Sequence, residues 1–176
     1  MNYRVQEFTS DQQPSDEMLR DAYTLFQQNI PSFDKKSRLD NEHTLQSRMD
    51  PVAYRKILKD TSVLFALNTQ EKIVGLLEWD SRDRADVFLA MMTWIMVANT
   101  ERGNGVASVL HQHFESACVP SVIQQTRKPV YQALGVHLQN PAKEIYRKWG
   151  YVKGPIQYND GRRLFMVKQA STGTDV

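Results

Sequence analysis

The chain has 176 residues, 41% of them apolar and 24% charged, which is enough to build a globular core without disulfides or metals. Lys and Arg number 22 against 20 Asp and Glu, and the basic residues are scattered in pairs such as Arg82 with Arg84 and Arg147 with Lys148. There is therefore no basic stripe for nucleic acid. The lone Cys118 excludes an internal disulfide, and neither a secretory apolar region after Met1 nor an apolar stretch of bilayer length occurs, so a cytoplasmic protein with no membrane partner is expected.

Tyr3, Val5 and Phe8 predict a short first strand. Pro14-Ser15-Asp16-Glu17 then opens a helix with Ser15 as N-cap, and Met18, Leu19, Ala22, Tyr23, Leu25 and Phe26 recur on one side of it until Pro31. The following stretch to Asp50 is polar and mixed in charge, with a short helix expected around Glu42 to Arg48. Asp50-Pro51 starts another helix, Asp at the cap and Pro in the first turn, with Tyr54, Ile57 and Leu58 on its apolar side.

From Thr61 the period changes to that of strands. Val63 to Leu67 and Ile73 to Leu77 predict a hairpin around Asn68-Thr69-Gln70-Glu71, and a second turn is expected at Ser81-Arg82-Asp83-Arg84. A long strand from Val87 to Val97 follows, whose length invites a bulge. Val106, Val109, Leu110, Phe114, Ala117 and Cys118 recur at helical steps until Pro120, which ends or kinks the helix. Pro129 to Val136 reads as a buried strand, parallel to its predecessor because a helix intervenes. Asn140-Pro141-Ala142 opens a helix that stops at Gly150, and Val152, Ile156 and Leu164 to Val167 form a closing antiparallel pair around Asn159-Asp160-Gly161. The expectation is an α/β (α+β) chain with a mixed sheet, one domain over residues 1–169 and a disordered tail over 170–176.

Val97 to Ala107 carries the most chemistry. A strand passes into a helix through Arg102-Gly103-Asn104-Gly105, and two glycines remove the Cβ atoms that would keep an anion from the backbone. Amides at the helix start, the helix dipole and the Arg102 guanidinium together suit a pyrophosphate. The plainer alternative is a tight turn and nothing more. A Walker loop is excluded, since no Gly-Lys-Ser/Thr follows, and Ser108 stands where a dinucleotide fingerprint has its third glycine.

Arg102-Gly103-Asn104-Gly105-Val106-Ala107 resembles the Q/R-x-x-G-x-G/A signature of the GCN5-related N-acetyltransferases (GNAT). Asn140-Pro141-Ala142-Lys143-Glu144-Ile145-Tyr146-Arg147-Lys148-Trp149-Gly150-Tyr151 resembles the same family's N-P-A-x-x-x-Y-x-x-x-G-F/Y ending. Asn99 stands where the family often has proline, and Trp149 replaces a smaller residue. The resemblance implies an acyl-CoA N-acyltransferase fold with a mostly antiparallel, twisted sheet flanked by helices. It implies acetyl-CoA as cosubstrate and a primary amine, on a small molecule or a peptide, as acceptor. By the same resemblance Arg102, Gly103, Asn104, Gly105, Val106 and Ala107 cradle the CoA pyrophosphate, Ile95 and Val97 lie along the pantetheine, Asn140 bonds the pantetheine region and Tyr146 protonates the departing thiolate.

A phenol, with a reference pKa of about 10, keeps its proton at neutral pH as a general acid must. The plainer role of Tyr146 is packing with Ala142, Ile145 and Trp149. The amine needs a base, for which Glu78 leads over Asp80 and Asp86, each otherwise a solvated hairpin carboxylate. A backbone N–H near Val97 would meet the thioester oxygen.

Asn29 to Asp50 is expected to wall the acceptor site, its acidic residues offset by Lys35, Lys36, Arg38 and Arg48. His111 and His113 are two apart on a helix, so no metal pair forms and no metal is expected. Left open are a CoA-binding regulatory or interaction module without catalysis, a longer acyl donor, and a homodimer.

Overall fold

The computed structural model describes residues 2–29, 43–157 and 161–170. Among the described residues the strands form a seven-stranded sheet in the order β1-β2-β3-β4-β5-β7-β6. These are β1 (Arg4–Phe8), β2 (Ser62–Leu67), β3 (Ile73–Asp83), β4 (Phe88–Val97), β5 (Val130–His137), β6 (Val152–Gln157) and β7 (Arg163–Gln169). The helices are α1 (Asp16–Asn29), α2 (Pro51–Ile57), α3 (Val106–His113), α4 (Val119–Gln124) and α5 (Lys143–Lys148). The chain packs as two compact units, one of residues 1–79 and 94–114, the other of 80–93 and 115–176.

In the first unit β2 pairs antiparallel with both β1 and β3. Every residue of β2 after Ser62 is buried, so its apolar run reflects a strand covered on both faces. Val63, Phe65 and Leu67 join Leu76 and Met96 in a core with Leu19, Ala22, Leu25 and Phe26 of α1 and Tyr54 of α2. Each of these helices begins where local chemistry directs. Ser15 Oγ accepts the Met18 N–H at 3.2 Å, and Asp50 Oδ1 accepts the Val52 N–H at 3.1 Å. A helical turn over 43–46 falls within the short helix expected there; Glu42 lies outside the described residues.

In the second unit β5 runs parallel to β4, from Phe88↔Val130 to Met92↔Leu134, and antiparallel to β7. β4 itself continues to Val97 and β5 to His137. Leu89, Met91, Ala133 and Phe165 form a core there. Ala170, the first residue of the expected tail, is buried and donates its N–H to Val130 O at 3.0 Å; residues 171–176 lie outside the described ones.

Two local expectations are revised. The second turn falls later than Ser81, because β3 stays extended to Asp83 and the turn closes by Arg84 N–H to Val87 O at 3.0 Å. In a strand, residues two apart share a face, so Arg82 can fork onto Asp80 at 2.6 and 2.8 Å and support the extended chain. Of the two readings of Pro120, an end or a kink, the first fails, because helical structure runs on past it. The residues before it widen into a π turn, Phe114–Cys118, and Pro120 occupies the first turn of α4, where its missing N–H costs least. The five pairs that β4 makes with β5 run in continuous register, and the hairpin β2–β3 carries a register shift between Ala66 and Leu67.

Candidate functional site

Along the end of β4, Trp94, Met96 and Ala98 pack into the first unit's core, while Ile95 and Val97, half-buried, alternate onto the opposite face. Ala98 N–H donates to Val74 O at 2.8 Å, which holds the strand end against β3. A single turn of 3-10 helix, Asn99–Glu101, then leads into the glycine turn. Gly103 and Gly105 adopt φ of +83° and +86°, the left-handed region that side chains disfavour. A Cβ at either would meet no atom within 4 Å, so protein packing gives no reason for a bare backbone there. Gly105 is the N-cap of α3 and offers no side-chain hydrogen bond, so the first-turn amides following it keep no cap. These are features an anion needs: uncapped amides, the positive end of a helix dipole, and space.

The turn is braced from its sides. Tyr3 O–H and Asn104 Nδ2 both donate to Glu101 Oε2, at 2.9 and 3.2 Å, and Arg102 Nη2 donates to Asn29 Oδ1 at 2.8 Å. Beneath it, α3 lies close on the sheet because position 75 has no side chain. A Cβ on Gly75 would sit 2.6 Å from Val106 Cγ1, 3.1 Å from Leu110 Cδ1 and 3.2 Å from Met96 O.

Tyr146 is explained by how α5 stops. Gly150, at φ +89°, turns the chain so that Tyr151 N–H reaches Tyr146 O at 3.0 Å and Gly150 N–H reaches Arg147 O at 3.0 Å. This is the paired closure of a Schellman motif, and its usual apolar contact is here Tyr146 against Tyr151, with ring centroids 6.3 Å apart. Trp149 completes the cluster edge-to-face with Tyr146 at 5.7 Å. Burial pushes the Tyr146 phenol up to about 12. The phenol therefore keeps its proton through the neutral range, the state from which it can donate to a leaving sulfur. At the other end of the motif, Asn140 Oδ1 accepts the Ala142 N–H at 2.9 Å and opens the helix.

Glu78 is not a solvated hairpin carboxylate. It is fully buried in the first unit, where Arg48 grips it with Nε to Oε1 at 3.1 Å and Nη2 to Oε2 at 2.7 Å, and Tyr54 O–H donates to Oε1 at 2.5 Å. The Arg48 guanidinium also lies 4.7 Å over the Phe26 ring. Arg48 is thus an interior charge rather than a surface one offsetting the acidic residues before it. Burial next to that carboxylate raises the Tyr54 phenol well above its ordinary value. Trp79 packs on Phe114 and Trp94 on Phe26, both as core. Among the described residues no group of three or more His, Cys, Asp or Glu side chains is arranged to hold a metal, and no helix is long and apolar enough to cross a membrane.

A family model described as Acetyltransferase (GNAT) domain matches residues 22–169. The chain belongs to the GNAT acetyltransferase family. The same architecture recurs in solved structures. The PaiA N-acetyltransferase from Thermoplasma acidophilum, in complex with coenzyme A, is similar at 13% identity over 96% of this chain and 99% of that one, with a TM-score of 0.68. GCN5 from Tetrahymena is similar at 14% identity over 100% of both chains, TM-score 0.62. The NatC complex bound to Gag peptide and CoA matches at 13% identity over 98% and 100%, TM-score 0.61. At such identities the likeness is one of fold. No curated protein sequence gives a significant match.

Several residues that shape this GNAT chain were not singled out as site residues by their sequence pattern. Gly75 carried a usable signal, a glycine inside an apolar strand, which often marks a close approach of another backbone or helix. Arg48 and Tyr54 carried none, since their partner Glu78 is distant in sequence.

Proposed function

We propose that this chain transfers the acetyl group of acetyl-CoA to a primary amine, by direct attack of the amine on the thioester. The observation that carries this reading is the uncapped start of α3 behind two left-handed glycines, in a chain of the GNAT family. The family match runs through both compact units, which supports residues 1–169 acting as one catalytic domain.

On this reading the amides of Gly103 to Ala107 hold the pyrophosphate, with Arg102 adding charge. Backbone groups at Ile95 and Val97 pair with the pantetheine amides as a further strand would, and the N–H near Val97 meets the thioester oxygen. The amide group of Asn140 provides donors for a pantetheine carbonyl. Bound acetyl-CoA supplies an activated acyl carbon with a thiolate leaving group. Tyr146 donates to that sulfur as the carbon–sulfur bond breaks, and the proton shed by the attacking nitrogen as the amide forms makes up the balance, so that the products are the N-acetylated amine and the free thiol.

A lysine-like amine costs about 4–5 kcal/mol to neutralise at pH 7. Glu78 was the leading carboxylate for that task, but its oxygens are committed to Arg48 and Tyr54. We therefore assign it to holding residue 48 onto β3 and leave the neutral amine to desolvation on binding.

Calorimetry with CoA, followed by turnover of acetyl-CoA over a panel of small amines and peptides, tests the reading. Tyr146→Phe should keep CoA affinity and lose turnover. Absence of CoA binding to folded protein would reject the cradle; binding with no turnover on any amine would favour a CoA-binding module, and turnover only with longer acyl-CoA would change the donor.

A further inference from the structure

Gln132 is a polar side chain, 3% exposed, on β5, which lies between β4 and β7, and beside Ala133 and Leu134. A buried amide is tolerated only when both its ends are satisfied, and here they are. Its Nε2 donates to Glu115 Oε1 at 3.1 Å, and its Oε1 accepts the Tyr151 O–H at 2.7 Å. Lys168 Nζ donates to the same Glu115 oxygen. Glu115 is the second residue of the π turn Phe114–Cys118, the kind of local widening that re-aims a side chain.

The carboxylate sets the direction of the whole chain of bonds. An ionised Glu115 only accepts, so Gln132 must present its NH2 there and its carbonyl to Tyr151. Tyr151 must then donate. Burial, with Glu115 and Tyr146 close by, raises the Tyr151 phenol and keeps that proton in place. The Tyr151 ring, anchored at its hydroxyl, is the surface on which Tyr146 rests edge-on at 71°.

We propose that Lys168, Glu115, Gln132 and Tyr151 form a polar relay whose task is to fix the ring of Tyr146 for hydrogen bonding to the leaving sulfur. This rests on the acetyl-transfer reading above. Gln132 and Tyr151 are positioning residues, acting through Tyr146. An apolar pair of leucine and phenylalanine would fill the same volume without burying an amide and a phenol. What such a pair lacks is the single rotamer that the directed bonds impose.

The test uses the full chain with Tyr151→Phe, Gln132→Leu and the double variant, measuring turnover, melting temperature and the ring-flip rate of 13C-labelled Tyr146 by NMR. Either single variant strands a buried polar group and should lower the melting temperature; the double variant removes both groups and should recover it. Turnover behaves differently. In all three variants kcat should fall roughly tenfold or more with KM for acetyl-CoA within about twofold, and Tyr146 ring flipping should accelerate. Recovery of kcat along with melting temperature in the double variant would overturn the proposal, because the network would then be structural only. So would an unchanged flip rate, whether or not the parent turns over. A parent protein without turnover but with variant-sensitive flipping would sink the acetyl-transfer reading and leave the positioning of Tyr146 standing.

Discussion

Replacing Arg48 by Met should lower the melting temperature by roughly 6–20 °C, although Met fills much of the same volume. The Arg48 and Glu78 side chains are only 9% and 1% exposed, and their fork uses 3.1 and 2.7 Å contacts. Removing the cation leaves a carboxylate in the core with the Tyr54 hydroxyl as a remaining donor. Breaking a buried pair from one side costs about 3–5 kcal/mol, and in a domain of this size each kcal/mol moves the midpoint by about 2–4 °C. A second substitution, Glu78→Gln on the Arg48→Met background, discharges the carboxylate that has lost its cation and should recover most of the loss. The assay is thermal unfolding followed by circular dichroism, with urea midpoints as a check. Turnover of Glu78→Gln, measured well below its midpoint, should stay within about tenfold of the parent, whereas loss of a general base would cost about 100-fold or more. The reasoning fails if Arg48→Met moves the midpoint by less than about 2 °C, or if the second substitution recovers nothing.

Two further outcomes are expected. Gly75→Ala forces a methyl to within 2.6 Å of Val106 at the start of α3; it should destabilise by about 1–3 kcal/mol and weaken CoA binding, seen by calorimetry on folded protein. Alkaline stability should fall across pH 10–12. Tyr146, at about 12 folded against 10 unfolded, keeps its proton in the native state where the unfolded chain loses it, so stability on the order of 3 kcal/mol is whole below pH 10 and gone above pH 12. Tyr54 and Tyr151 are raised in the same sense and prolong the loss. Urea midpoints for Tyr146→Phe should decline less steeply with pH than those of the parent; parallel slopes would count against the assignment.

Read alone, the sequence determined those features whose bonds close within a few residues. Ser15 and Asp50 cap the helices that follow them, Gly103 and Gly105 bare the start of α3, and Gly150 with Tyr151 closes α5 onto Tyr146. Such rings span two to five residues, so residue type and spacing suffice to specify them. Tertiary structure decided the rest. Glu78 meets Arg48 across 30 residues and Tyr54 across 24, and Gln132 meets Tyr151 across 19. A carboxylate at the end of an apolar strand reads as solvated until strand register and helix packing bring an arginine to it. Whether a polar side chain is a solvated surface group, a buried clamp or a link in a relay depends on which distant donor the fold delivers, and only the assembled core sets that.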